Sequence, residues 1–276
     1  MTSPWILISP STRGIGYALV RHLLRTTTLP ILATARTRHD PAAVRTSLLD
    51  GLSPGASHGD GLASRLSVVH ADVTDEASLE AAAARAAALF PRSTHHLRLA
   101  CAMPGVLHAE KSLRQVDAAA GLESFQVNSL GPLLLMKHFA HFLPARGTTL
   151  LSSPSTDAVR LPEHATWLSM AARVGSTMDN RLGGWFSYRA SKAAVISLAK
   201  SLDVSLQARS GDQALSVSYH PGTVRTDFSR EFWGSVGEAK LLSPEYAAER
   251  LVDVVAGLEV GQRGRCWDWK GDEVPP

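Results

Sequence analysis

Cysteine is nearly absent. The 276 residues contain two, Cys101 and Cys266, too far apart for any metal-ligand spacing, and no metal is expected. So few cysteines argue against a disulfide-stapled secreted domain and favour buried, reduced thiols; the expected location is cytoplasmic. No apolar run reaches the ~18 residues a membrane span needs, and the N-terminus lacks the basic stretch and apolar core of a signal peptide. Neither membrane contact nor a leader is expected. Charge of one sign never collects in blocks, and 28 Lys and Arg against 25 Asp and Glu leave a net +3. Nucleic acid is therefore a poor candidate partner. With no internal repeat and no convincing linker, one domain over 1–276 is expected. What is present is a 45% hydrophobic share, enough for a sizeable core.

Short apolar runs alternate with helical patterns along the chain. Strands are expected at 5–8, 30–35, 66–70, 97–101, 165–171, 214–219 and 264–269, and helices at 15–24, 76–90, 188–208 and 245–257. A long helix over 121–142 should be adjusted near Gly131-Pro132. This alternation predicts an α/β fold, a doubly wound parallel sheet with helices on both faces. Two stretches read as insertions forming surface loops: 41–65, with its loop proper at 51–65, and 146–163.

Tyr188-Arg189-Ala190-Ser191-Lys192 carries the most chemistry. On a helix, residues four apart share a face, and an ammonium beside a phenol should lower the phenol pKa from about 10. Upstream, Ser9-Pro10-Ser11-Thr12-Arg13-Gly14-Ile15-Gly16 links the first strand to a helix. Glycines there let the backbone approach a pyrophosphate, and the helix N-terminus offers free N–H groups. The turn resembles the T-G-x-x-x-G-x-G turn of the short-chain dehydrogenase/reductase family, with Ser9 for Thr and Pro10 for its first Gly. Arg13 and Arg36, with Arg38 as a possible further contact, favour the 2′-phosphate of NADP(H) over the 2′-hydroxyl of NAD.

The resemblance extends over nearly the whole chain, as a single Rossmann-like domain. Tyr188 and Lys192 match Y-x-x-x-K, Phe125 to Gly131 matches the mid-helix Asn segment with Asn128, and His220 to Thr226 matches P-G-x-V-x-T. Residues 172–176, 179–180, 183–185 and the closing Trp267-Asp268-Trp269 resemble the C-factor-like branch more narrowly. It implies cofactor contacts from Ser9, Ser11, Arg13, Gly14, Ile15, Gly16, Arg36, Asp72, Val73, Asn128, Tyr188, Lys192, Pro221, Gly222, Val224 and Thr226. For Asp72, the alternative is a cap on the helix that follows. The implied reaction is hydride transfer between NADPH and a carbonyl or alcohol. Tyr188 would be the proton donor, Lys192 its partner, and Asn128 the anchor of a relay water.

The carbonyl-polarising serine is open. Ser176 lies at family spacing, Ser153 ends the Leu150-Leu151-Ser152-Ser153 run, and a site without one is the third reading. The usual position is held by Ala171 or Ala172. Where the family has Asn-Asn-Ala-Gly, this chain has Ala102-Met103-Pro104-Gly105. These departures motivate the alternative, an NADP-binding signalling or interaction protein with little turnover. Phe228, Phe232, Trp233, Trp185 and Phe186 are candidate substrate walls. The family also implies a homo-oligomer through the Tyr188 helix and the helix before it, unless the insertion before Ala165 covers that face.

Overall fold

The computed structural model describes residues 1–36, 39–52, 61–152, 157–235, 237 and 240–276. Arg38, Ser153 and residues 53–60 fall outside them. Eight strands form one sheet: β1 (Ser3–Ser9), β2 (Ile31–Ala35), β3 (Leu66–His70), β4 (His95–Ala102), β5 (Ala165–Met170), β6 (Ala214–His220), β9 (Cys266–Asp268) and β10 (Glu273–Val274). Their order is β3-β2-β1-β4-β5-β6-β9-β10, parallel except for β10 against β9. A separate parallel pair joins β7 (Thr223–Val224) to β8 (Leu241–Leu242).

β1 shows why the sheet is covered on both sides. Trp5 and Leu7 point into one apolar layer, Ile6 and Ile8 into the other, as the two-residue period of a strand requires. Helices α1 (Gly14–Thr26), α2 (Pro41–Leu49) and α8 (Pro244–Ala256) pack on the Ile6 side through Leu19, Leu23, Leu48 and Leu251. On the Trp5 side lie α4 (Glu76–Leu89), α6 (Gly131–Phe139) and α7 (Phe186–Ser210), through Leu79, Phe139 and Leu206. This is the expected doubly wound architecture. Both cysteines are buried and free. Among the described residues no helix is long and apolar enough to cross a membrane, and no side-chain cluster could hold a metal.

Two expectations change. The 41–65 stretch is not all loop: Asp40 caps α2 by accepting from Ala42 and Ala43 N–H, with Pro41 at its first turn. Leu62–Arg65 forms a helical turn, α3, leading into β3, so the loop expected over 51–65 ends early. The long helix is also divided differently, into α5 (Ala118–Phe125), a π-turn at Gln126–Leu130 and α6. Pro132 has no N–H, and its ring would press on the carbonyl of residue 128, so the ladder widens one turn before the proline.

Among its described residues the 146–163 stretch forms no named helix or strand, and a Thr2–Leu150 bridge joins it to the chain just before β1. Arg98, 1% exposed within β4, fastens it from beneath. Its guanidinium donates to Pro162 O (2.6 Å), Glu163 O (2.7 Å) and Leu151 O (2.7 Å), and burial pushes its pKa down to about 10.

Candidate active site

Strand order reverses between β1 and β4, and the family motifs meet at the carboxyl ends of the strands, where such a sheet opens a crevice. Gly14 adopts φ +57°, and a Cβ there would stand 3.3 Å from Thr226 Cγ2. Gly16 has no room for any side chain, because a Cβ would sit 2.0 Å from the Pro10 carbonyl oxygen. No side chain caps α1, whose N-cap residue Arg13 is exposed. An anion can be received at that helix end. Ser9 and Ser11 are buried behind the turn: Ser9 Oγ accepts from Thr34 Oγ1 (2.8 Å), and Ser11 Oγ donates to Thr34 O (2.9 Å). Their hydroxyls brace the turn against β2. Ile15 packs beside Val224, Leu242 and Ala247, joining the turn to the segment after β6.

Arg36 follows β2, and its charge acts on Asp72 after β3. Partial burial pushes the Asp72 carboxyl up, yet hydrogen bonds from Thr74 N–H and Oγ1, with the Arg36 and His70 charges, hold it below its usual value. Asp75, not Asp72, caps α4. Val73 is pressed against Gly131, where a Cβ would meet it at 2.8 Å.

Asn128 lies in the π-turn, fully buried. Its Oδ1 accepts from Val106 N–H (2.8 Å), while Nδ2 donates to Val106 O (2.9 Å) and to Ser191 Oγ (3.0 Å). The side chain is thus a clamp between the loop after β4 and α7. The Asn128 main-chain carbonyl, by contrast, has no N–H four residues on, because that residue is Pro132. Ser191 lies inside the Tyr188–Lys192 motif, and that position was its only signal in the sequence.

Tyr188 and Lys192 come together on the buried face of α7, with Lys192 Nζ 5.9 Å from the Tyr188 ring centroid. Lys192 Nζ donates to Met170 O at the end of β5 (2.9 Å) and faces Gly105, the surviving family glycine. The expected lowering of the phenol pKa is reversed. Burial pushes the Tyr188 phenol up and the Lys192 ammonium down to about 8, since each charged form has lost its water.

Ser176 is 1% exposed, and its hydroxyl is committed: Oγ donates to Pro276 O (3.1 Å) and accepts from Asp179 N–H (3.0 Å). Of the aromatic candidates, Phe228 and Trp185 each stand 6.1 Å from the Tyr188 ring, and Phe232 packs 4.8 Å from Trp185. Trp233 turns away, with Arg225 over its ring and its Nε1 donating to Ser229 Oγ. Phe186 is exposed. Gly222, at φ +76°, must lack a Cβ because Trp269 would meet it at 2.9 Å. It lies in the Pro221–Thr226 segment, whose last residue stands against Gly14 of the turn.

No family model matches the chain. It is 30% identical over 164 residues to the C-signal of Myxococcus xanthus, covering 59% of this chain and 83% of that protein. It is also 30% identical over 196 residues to a 1-hydroxy-2-glutathionyl-2-methyl-3-butene dehydrogenase of Rhodococcus sp. (strain AD45), covering 70% and 73%. A crystal structure of NADPH-bound carbonyl reductase from chicken fatty liver superposes with a TM-score of 0.76 over 100% of both chains at 22% identity, which bears on the fold. With its turn, Tyr-Lys pair and strand order in place, the chain belongs to the short-chain dehydrogenase/reductase family and resembles its C-factor-like branch.

Proposed function

We propose that the chain is an NADP(H)-dependent oxidoreductase that interconverts a carbonyl compound and its alcohol. The observation that carries this reading is the buried Tyr188–Lys192 face of α7, opening toward Gly105 and Phe228. The cradle suits a dinucleotide: two glycines without room or conformation for a side chain, an uncapped helix end, and Arg13 and Arg36 on the adenosine side. When bound, NADPH supplies the hydride. Lys192, Pro221, Gly222, Val224 and Thr226 hold its nicotinamide end, while Asp72 and Val73 line the adenine end.

Tyr188 keeps its proton at neutral pH because burial disfavours the phenolate, and gives it to the oxygen as charge develops there. Lys192, with a pKa of about 8, is mostly cationic at pH 7 and stabilises the phenolate left behind. The Asn128 carbonyl anchors the water that returns the proton. Ser176 anchors residues 176–179 to Pro276 and does not polarise the carbonyl; among the described residues that role falls to the Tyr188 hydroxyl.

The test is oxidation of NADPH by the purified protein against a panel of aldehydes and ketones, with and without each carbonyl. For the cofactor, Arg36→Ala should weaken NADPH binding ~10- to 100-fold, the worth of lost charge-assisted bonds to a phosphate, and NADH binding far less. Equal losses for both cofactors, read by fluorescence titration, overturn the NADP assignment. For Ser176→Ala, the two lost bonds cost about 1–3 kcal/mol in stability. Turnover should stay within ~3-fold of the parent, because no transition-state contact is removed. A large rate loss at unchanged Tm would return the serine to the chemistry. Ala171 and Ala172 at the usual serine position favour a second reading, binding without turnover. NADPH binding with no carbonyl-dependent oxidation would select it.

A further inference from the structure

We propose that Glu110, in the loop between β4 and α5, is a positioning residue that sets Tyr188 over the cleft; this rests on the reading of Tyr188 as proton donor. Glu110 is 5% exposed and ties that loop to the start of α7 by both main chain and side chain. Its carbonyl accepts from Trp185 N–H (2.6 Å) and lies 3.4 Å from where a Gly184 Cβ would be. Its Oε1 accepts from Ser187 Oγ, one residue before Tyr188, and Ser187 in turn lies 3.5 Å from Ser124 Oγ of α5.

The start of α7 needs such a tie. Gly183, Gly184 and Trp185 take φ of +62°, +66° and +50° in succession, and at Trp185, a bulky residue, that conformation is strained. Trp185 is the N-cap, and no side chain of its own segment satisfies the first turn. A carboxyl group beside a helix N-terminus interacts favourably with its dipole, and Glu110 adds to this a carbonyl that takes the Trp185 N–H and a side chain that holds the Ser187 hydroxyl. Its Oε2 is buried without a hydrogen-bond partner among the described residues. Burying a carboxylate so sparsely bonded is costly, and the position is hard to explain by stability alone. Trp185, held by the Glu110 carbonyl, sets its ring edge on Tyr188 at 72° and packs against Phe232. The same loop contains Gly105, which faces Lys192 Nζ and Asn128 Oδ1. One loop therefore touches the Tyr188 turn at one end and the Lys192 end of the cleft at the other.

The test compares Glu110→Ala, Glu110→Gln, Ser187→Ala and the Glu110→Ala/Ser187→Ala double variant by near-ultraviolet circular dichroism, NADPH affinity and steady-state kinetics. Trp185→Phe identifies the Trp185 band. Glu110→Ala should lose that band and lower kcat at least ~10-fold, as small misplacements of a reacting group do, with NADPH affinity unchanged within ~2-fold. Glu110→Gln, whose amide oxygen still accepts from Ser187, should recover most of both. The double variant should be no worse than Glu110→Ala, since the two residues share one interaction. A Glu110→Ala protein with the parental band and kcat overturns the proposal. So does a loss that Glu110→Gln fails to recover, or one that falls equally on NADPH affinity. Where Glu110→Ala does not fold, Ser187→Ala, which deletes a single hydroxyl, decides by the same readouts. If the parent binds NADPH and no carbonyl drives its oxidation, the reductase reading fails by itself, and the Trp185 band still reports whether Glu110 holds the turn.

Discussion

Tyr188→Phe should abolish carbonyl-dependent NADPH oxidation, by ~10²- to 10⁴-fold for loss of a positioned general acid, while NADPH still binds. The substitution removes one hydroxyl and keeps the ring that packs with Trp185 and Phe228, so the fold and the cofactor cradle stay intact. The loss should appear in kcat and kcat/KM together, the sign of an interaction made only in the transition state. A variant retaining a tenth of the parental rate would remove Tyr188 from the chemistry. Burial raises its pKa, so the phenol holds a proton to donate across the neutral range.

Lys192→Met should separate stability from function in opposite directions. Burial lowers the Lys192 pKa from 10.5 to about 8, so at pH 7 the folded chain carries a desolvated cation that the unfolded chain hydrates freely. That difference corresponds to about 3 kcal/mol against folding, partly offset by the bond to Met170 O. The variant should therefore melt ~2–6 °C above the parent at pH 7 and lose at least ~100-fold in turnover. The sign follows from proton uptake. Between pH 8 and 10.5 the unfolded chain binds more protons than the folded one, so parental stability rises with pH through that window and the variant's does not. The Tm gap should be widest at pH 7 and narrow by pH 10, as calorimetry across the range would read. A variant less stable than the parent at pH 7 would mean that the ammonium is stabilised in the fold, contrary to its burial. Activity of the parent should likewise decline above pH 8 as Lys192 loses its charge.

Strands were legible wherever an apolar run was short and bounded: β3 lies at its expected residues, Leu66–His70, and β1, β2, β5 and β6 within a few. The Asp40-Pro41 start of α2 carried a readable cap and was hidden by the polar stretch after it. The helix adjustment expected near Gly131-Pro132 is there, as a π-turn over Gln126–Leu130, while its widened form was not legible, because proline acts on the carbonyl four residues behind it. Tyr188 and Lys192 could be paired from spacing, but the direction of their pKa shifts depends on burial, which spacing does not encode. Ser176 has the right distance in sequence and the wrong company in space, committed to Pro276 by a fold that brings distant segments together. Glu110 left no trace at all, being a loop acid whose hydrogen-bond partners, Trp185 and Ser187, lie at a distant helix start.

Pro132 supplies no group to the proposed chemistry, yet as the residue four on from Asn128 it has no N–H to give the Asn128 carbonyl, which the proposed relay uses. A graft of Asn128, Tyr188 and Lys192 onto another pair of helices would carry over the side chains and leave the relay's acceptor locked in a regular ladder. The transferable unit therefore runs four residues past Asn128, and its last letter is an imino acid.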